Sequence, residues 1–427
     1  MSIVRGMKTA VSGIEAESEA LGVVADNISN ADTTGFKQQH AVFENVLGRS
    51  MLENNTGGSG VRMDHVGQAF TQGPLVSTGV PTDLAPSGDG FFVLSGALGG
   101  VTGEFYSRSG AFHVDASGKL VSQQGLAVQG YAATRTGFAP APSAVQLPTS
   151  ALPAVPTQNI SLSANLDSNA VPPAAPWDPQ SPGTTANFTT SIGVFDSLGN
   201  SHQVQIAFRA TGPGRFNWYA LAAGAEVGGT PGQNVVIGQG SLAFDTSGAL
   251  QTSVVATPVQ ANFVNATPGQ NIAISFGSST AAGGTGLDGF TQFSSPFGVS
   301  SQSQDGSPPG SMGGFTIDAS GVVRGIFSNG QNVPVAQIAV AKFRSNEGLA
   351  RAGQNAWIAT ADSGSAALGS AGSGGRASIT QGALEQSNVD LATQFTNMIA
   401  HQRGFEANSK VITTADDMLA SLATLKR

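Results

Sequence analysis

No cysteine occurs in the 427-residue chain, which excludes disulfides, thiolate chemistry and cysteine-ligated zinc together. Charge is also scarce. The 19 Lys+Arg and 27 Asp+Glu amount to 11% of residues, against roughly 25% in ordinary globular chains. The net charge of -8 leaves no basic footprint for DNA or RNA, so nucleic acid is excluded as a partner. No run of about 18 apolar residues is present, and no membrane span is expected. The N-terminal segment carries Arg5 and Lys8, but Glu15, Glu17 and Glu19 interrupt its apolar residues. A cleavable signal peptide is not expected there, because no apolar core or small-residue cleavage site follows.

Catalytic patterns are missing too. The five histidines, at 40, 65, 113, 202 and 401, show no paired ligand spacing. There is no G-x-S-x-G elbow and no H-E-x-x-H helix. GGTGLDG at 283–289 lacks the Lys-Ser/Thr of a phosphate loop and reads as a plain loop. Asp115-Ala-Ser-Gly118, Asp245-Thr-Ser-Gly248 and Asp318-Ala-Ser-Gly321 each supply one carboxylate. Calcium needs several oxygen ligands, so these are expected to be hairpin turns. No catalytic, cofactor-binding or metal-ligating set is assigned, and the chain is not expected to be an enzyme.

What is present is patterned at the two ends. Ile3, Met7, Ala10, Ile14, Leu21, Val24 and Ile28 follow the 4,3 spacing of a heptad seam, with Glu17 the one lapse. NISNADTTGFK, residues 27–37, then stops the helix. Asn30, Asp32, Thr33 and Thr34 prefer turns, and Gly35 can take a positive φ. Phe36 and Phe43 are expected to anchor the chain beyond that stop. Near the other end Ser387 is expected to cap a second helix, with Asp390 three residues on. Its stripe is Leu391, Phe395, Met398, Phe405, Ile412, Ala415, Leu419 and Leu422, closed by Lys426 and Arg427. Two such stripes can bury each other as an antiparallel or parallel pair. Stripes of this kind also suit ordinary core helices packed on the body, but a seam this narrow, set against the ordering of two long helices, predicts that both stay mobile until further copies supply contact area.

Between the ends the signals are those of strands and turns. SHQVQIAFRA alternates, with Val204, Ile206 and Phe208 on one face. VAQIAVAKF, 335–343, is nearly continuous apolar, as in a strand covered on both faces. Proline-rich 137–156 and 171–182 and Gly/Ser-rich 277–313 read as boundaries of an inserted domain, and 361–376 as a flexible connector to the last helix. The expected fold class is α+β, mainly β, with nested domains. Residues 1–31 plus 384–427 form a coiled-coil-like helical domain, 32–70 plus 365–383 a connector, 71–150 plus 310–364 an inner β domain, and 151–309 an inserted outer β domain.

LGVVADNISNADTTGFKQ near the start and SNVDLATQFTNMIAHQRGFEANSKVITTADDML near the end resemble the paired terminal signatures of bacterial flagellar rod and hook proteins. Inner segments agree: TDLAPSGDGFFVLSG at 82–96, YSRSGAFHVDASGKLVSQQGLAVQGY at 106–131 and the stretch 327–364. ISLSANLDS at 160–168 resembles the start of the hook's inserted domain. Together these cover roughly half the chain and both ends, while 169–309 are placed by position. Pro86 departs from the pattern, which has a small aliphatic there. The length and the large insertion favour the hook over the distal rod within this family, and the paired stripes argue against a secreted β-rich adhesin.

The resemblance implies a structural subunit of the extracellular flagellar hook, polymerising into a curved helical tube that serves as a universal joint passing torque from rod to filament. The partners it implies are other copies of the chain, the distal rod, the hook cap, the hook–filament junction proteins and the flagellar export apparatus, with type III export and no signal cleavage. It implies no cofactor. The family motif falls on Asn30, Thr34, Gly35, Phe36, Lys37, Ser387, Asn388, Val389 and Asp390. The assembly helices fall on Ile3, Met7, Ile14, Leu21, Val24, Ile28, Leu391, Phe395, Met398, Phe405, Ile412, Leu419 and Leu422.

Overall fold

A computed structural model describes residues 2–47, 58–134 and 136–424. The side chains of Ile3 and Leu422, and Lys426 and Arg427 altogether, lie outside the described residues. The fold is mainly β, with 45% strand and 16% helix. Helix α1 (Ser2–Ser29) opens the chain, α2 (Pro182–Thr185) is a single turn in the middle, and α3 (Leu391–Thr424) closes it. The chain divides into two compact units, Met1–Thr149 with Gly314–Ile326 and Asn332–Arg427, and Ser150–Gly313 with Phe327–Gln331.

In the first unit α1 and α3 pack together, and the hairpin of β1 (Gln39–Leu47) and β2 (Gly58–Gln68) lies along α1. The strand Asn332–Lys342 is the middle of the main sheet and runs antiparallel to Ala127–Thr134, Phe91–Leu98 and Ala367–Ser370. Ile338, Ala339, Val340 and Ala341 are fully buried, as the continuous apolar run requires of a strand covered on both faces. Phe91 sits at the centre of an aromatic cluster, edge-on to Phe343 at 5.9 Å, Trp357 at 5.7 Å and Phe70 at 5.6 Å.

The segment 361–376, expected to be a flexible connector, is built into this unit. Ala367–Ser370 pairs with the central strand, and Arg376 donates from Nε to the Ala367 carbonyl and from Nη2 to that of Leu368. Glycine and serine content suggested slack, but residues 367–370 pair in the sheet and Arg376 bonds back to two of their carbonyls. Ser378–Gln381 then pairs with Leu84–Ser87, and Ala383–Glu385 with Leu75–Ser77. Pro86 lies opposite Ile379 in the first of these two-stranded ladders, a setting where a missing N–H is tolerated.

The second unit is an all-β insertion. Five strands, from Phe188–Phe195 to Leu250–Thr257, form an antiparallel meander, and Asn159–Asn165 joins Gln270–Ser275 and Gly298–Gln304 in a second, mixed sheet. Val204, Ile206 and Phe208 of the alternating strand meet Ile160 and Leu162 of the other sheet in one core around Trp218, Phe276 and Phe290. The three Asp-x-x-Gly segments are turns. Asp115, Asp245 and Asp318 each accept two backbone N–H bonds and a serine hydroxyl through Oδ1.

Candidate assembly site

The two terminal helices run antiparallel. Asn27 lies beside Gln394 (Nδ2 to Oε1, 3.1 Å), Glu17 beside His401 (Oε2 to Nδ1, 2.6 Å), and Gly13 against Asn408. A Cβ on Gly13 would stand 2.6 Å from Asn408 Nδ2, and one on Gly404 2.5 Å from Glu17 Oε1. Glycines at these two levels make room for the polar side chain of the opposite helix. The buried face of α1 is accordingly made mostly of small residues, with one amide: Ala10, Gly13, Ala16, Ala20, Val24 and Asn27. Glu17, a lapse in the apolar stripe, is the partner of His401.

The large apolar side chains sit elsewhere. On α3 Phe395 is 46% exposed, Ile399 56% and Met418 51%, and Leu391, Phe405, Val411 and Leu419 are exposed as well. Met398 and Ile412 are half-buried, as are Met7, Ile14, Leu21 and Ile28 on α1, and Val24 is buried. The α3 residues expected to meet α1 thus include several that face solvent in the single chain. Large apolar side chains left open on a helix mark an interaction surface, and here they lie on more than one side of α3, with Val411 and Met418 beside Gly6 of α1.

Below the pair, the NISNADTTGFK segment is a sealed reversal. Asn27 accepts from the Gln39 N–H through Oδ1 at 2.8 Å and donates from Nδ2 to the Gln39 carbonyl at 2.7 Å. Asn30 bonds back to Asp26, Thr33 to Asn30, and the Thr34 carbonyl accepts from Asn355 Nδ2 at 3.0 Å. Gly35 has φ +71°, and a Cβ there would lie 2.6 Å from the Ser109 nitrogen. Only glycine satisfies both the left-handed turn and the close approach. Its N–H donates to the Glu385 carbonyl at 2.8 Å. Phe36 is buried beside it, whereas Phe43 is 41% exposed, with its ring 6.4 Å from that of His401.

Lys37 carries the motif into the interior. Its Nζ donates to Glu385 Oε1 and to the Thr71 carbonyl, both at 2.7 Å. Arg108 Nε donates to the other carboxylate oxygen at 2.8 Å, its Nη2 to the Gly88 carbonyl at 2.7 Å, and its guanidinium lies over the Phe91 ring. The Gly73 N–H adds a third donor to the Glu385 carboxylate at 2.9 Å. All three charged side chains are buried. Two cations therefore share one anion. Burial and the neighbouring Arg108 charge push the Lys37 ammonium below the usual lysine range, against the opposing pull of Glu385.

The second motif closes the same junction. Asn388 Oδ1 accepts from the Gln38 N–H at 2.7 Å, and its Nδ2 donates to the Ala69 carbonyl and to Thr71 Oγ1, both at 2.8 Å. The cap of α3 is Asp390, not Ser387. Asp390 Oδ1 accepts from the Thr393 N–H at 2.9 Å, and α3 starts at Leu391. Ser387 instead holds the Val389 N–H in a local turn at 3.3 Å. The carboxylate lies one residue before the helix, where an acceptor is needed, and Ser387 is three residues too early. Asn27, Arg108, Glu385 and Gln394 were missed as site residues. In a chain with so few charges, a lone glutamate inside a Gly/Ser/Ala-rich stretch was the available signal for Glu385.

Beside this junction lies a cleft of about 480 Å³ lined by Asn30, Thr34, Gln123, Gln124, Arg351 and Asn355 among others. Its polar groups are amides, hydroxyls and two cations, with no carboxylate or imidazole to act as a general base.

Comparison with known proteins covers the whole chain. The family described as "Flagella basal body rod protein" matches residues 7–37, the "Flagellar hook protein FlgE/F/G D1 domain" 85–166, the "Flagellar basal body protein FlaE D2 domain" 165–307, and the "Flagellar basal body rod FlgEFG protein C-terminal" family 380–425. The flagellar hook protein FlgE of Escherichia coli K12 is 34% identical over 424 residues, 98% of this chain and 99% of the relative. FlgE of Treponema pallidum is 32% identical over 471 residues and that of Rhizobium meliloti 33% over 435, each across 100% of both chains. The crystal structure of Helicobacter pylori FlgE2 superposes with a TM-score of 0.55 at 15% identity, over 73% of this chain and 100% of that one.

Proposed function

This chain belongs to the flagellar hook protein family and is a structural subunit of the hook, and from that premise we propose how it assembles and what the assembly does. Copies polymerise into a curved helical tube that bends readily, resists twist and passes torque from rod to filament. A surface that contacts a different surface of the next copy builds an open helix of this kind. The observation that carries the reading is the set of large apolar side chains left exposed on α3, Phe395, Ile399, Phe405 and Met418. The α1–α3 contact, made largely by small side chains, does not cover them, and neighbouring helices would.

Ile3, Met7, Ile14, Leu21, Val24 and Ile28 of α1, with Leu391, Phe395, Met398, Phe405, Ile412, Leu419 and Leu422 of α3, are the proposed packing residues of the inner layer. The inserted unit belongs to the outer layer, where scarce charge lets neighbouring copies slide without breaking ion pairs. The distal rod, hook cap, junction proteins and export apparatus are the proposed flagellar partners, with export proceeding without signal cleavage. The subunit's role is mechanical, and neither a distal rod protein nor an adhesin has support among the relatives.

Phe405→Asp or Leu21→Asp is expected to leave a folded, soluble monomer that forms no tubes. Calorimetry showing the monomer itself unfolded would make these ordinary core positions. Gold-labelled antibody against residues 190–300, applied to detergent-extracted flagella, is expected to mark a short curved segment between rod and filament. Label on the rod would move the assignment there.

A further inference from the structure

Resting on the assembly reading above, we propose that Glu385 is a positioning residue for the terminal helix pair: its carboxylate fixes, at one buried point, the direction in which both helices leave the sheets. Three independent segments converge on it. Lys37 brings the segment that follows α1, Arg108 the end of the strand Val101–Ser107 and its neighbour Phe91, and Gly73 the segment before Leu75–Ser77. Glu385 lies just ahead of α3 and ends the strand that pairs with Leu75–Ser77. Its own carbonyl receives the Gly35 N–H. One residue therefore ties the exit of α1 and the start of α3 to two sheets through side chain and main chain at once.

The chemistry makes this tie stiff. A carboxylate accepting from two cations and a backbone N–H in a buried site has its orientation set by every lone pair it uses. Neither cation can turn to water instead, since both are buried. Asn388 and Asn27 fasten the flanks, so the neck is a fixed joint rather than a hinge. Replacing Glu385 by aspartate keeps the charge but shortens the reach, leaving Lys37 and Arg108 unable to hold it together.

The test uses the full chain as a dilute monomer. Because the chain lacks cysteine, Ser18→Cys and Gln123→Cys place two nitroxide labels, on exposed positions of α1 and of the sheet unit. The distance distribution between them is measured by pulsed electron resonance for Glu385, Glu385→Asp and Glu385→Gln. The native glutamate is expected to give one narrow distance. Glu385→Asp is expected to broaden it about twofold or more with unchanged far-UV circular dichroism, as befits a residue that locks geometry rather than fold.

An unchanged width in both folded variants would overturn the proposal. Loss of secondary structure in both would overturn it too, because Glu385 would then act on stability alone. The readout needs no polymer. A native chain that fails to form tubes would count against the assembly reading and leave the positioning result standing.

Discussion

The inserted unit and the terminal helices spend their apolar residues in opposite ways. In the insertion Trp218, Phe208, Phe216, Phe276 and Phe290 are all 0–1% exposed in one core. In the helix pair the buried face is mostly alanine, glycine and amide with Val24, while Phe395, Ile399, Phe405 and Met418 are exposed. The first region completes its own burial within one chain. The second leaves burial undone, which suits a surface that other copies will cover.

The sharpest way to break this contrast is to truncate one large residue from each region. Trp218→Ala is expected to cost about 3–5 kcal/mol in urea unfolding, the usual penalty for emptying a core aromatic site. Phe395→Ala should change monomer stability by no more than about 0.5 kcal/mol, as at other exposed positions, yet raise the concentration needed for tube formation. Equal destabilisation by the two substitutions would erase the distinction.

A smaller effect tests the close contact between the helices. Gly13→Leu must displace Asn408, and overpacking of this kind costs about 1–3 kcal/mol. Its signature should be lost helix signal in circular dichroism with the fluorescence of the insertion unmoved. If the helix signal stays, the helices have more room than the 2.6 Å approach implies.

The weakest effect is a pH dependence in each region, with stability rising with pH on the acid side for the insertion and on the alkaline side for the helix junction. In the insertion, burial raises the Asp196 carboxyl, but bonds from Asn200 and His202 and from the Asn200 and Leu198 N–H groups outweigh it and lower it to about 2. A depressed carboxylate adds stability above its unfolded pKa, near 3.9, and loses it as pH falls toward about 2. Lys37 is shifted downward as a base, so the folded chain releases its proton more readily than the unfolded one. Stability should therefore rise as pH climbs through the folded Lys37 value and level off above 10.5, the ordinary value. Urea midpoints across pH check both limbs. Asp196→Asn should flatten the acid one and Lys37→Met the alkaline one.

Much of this fold is written locally. The helical period of both ends, the alternation through Val204, Ile206 and Phe208, the covered run at 338–341 and the Asp-x-x-Gly turns follow from side-chain spacing and short-range hydrogen bonds, and each formed as expected. The cap of α3 slipped by three residues, since Ser387 and Asp390 are both competent acceptors and only the start of the helix decides between them. The stretch 361–376 looked slack because glycine and serine carry no signal of the strand they pair with, which is Asn332–Lys342.

By itself the sequence determined that two amphipathic helices flank a β-rich body with an insertion, because periodicity and turn chemistry act between near neighbours. Only the tertiary structure decided which face of each helix meets the other, and that Lys37 and Arg108 meet Glu385 across 348 and 277 residues of chain. An apolar stripe says that a surface will be covered but not by what, and a lone charge does not name its partner. Those choices belong to distances that exist only once the chain has folded.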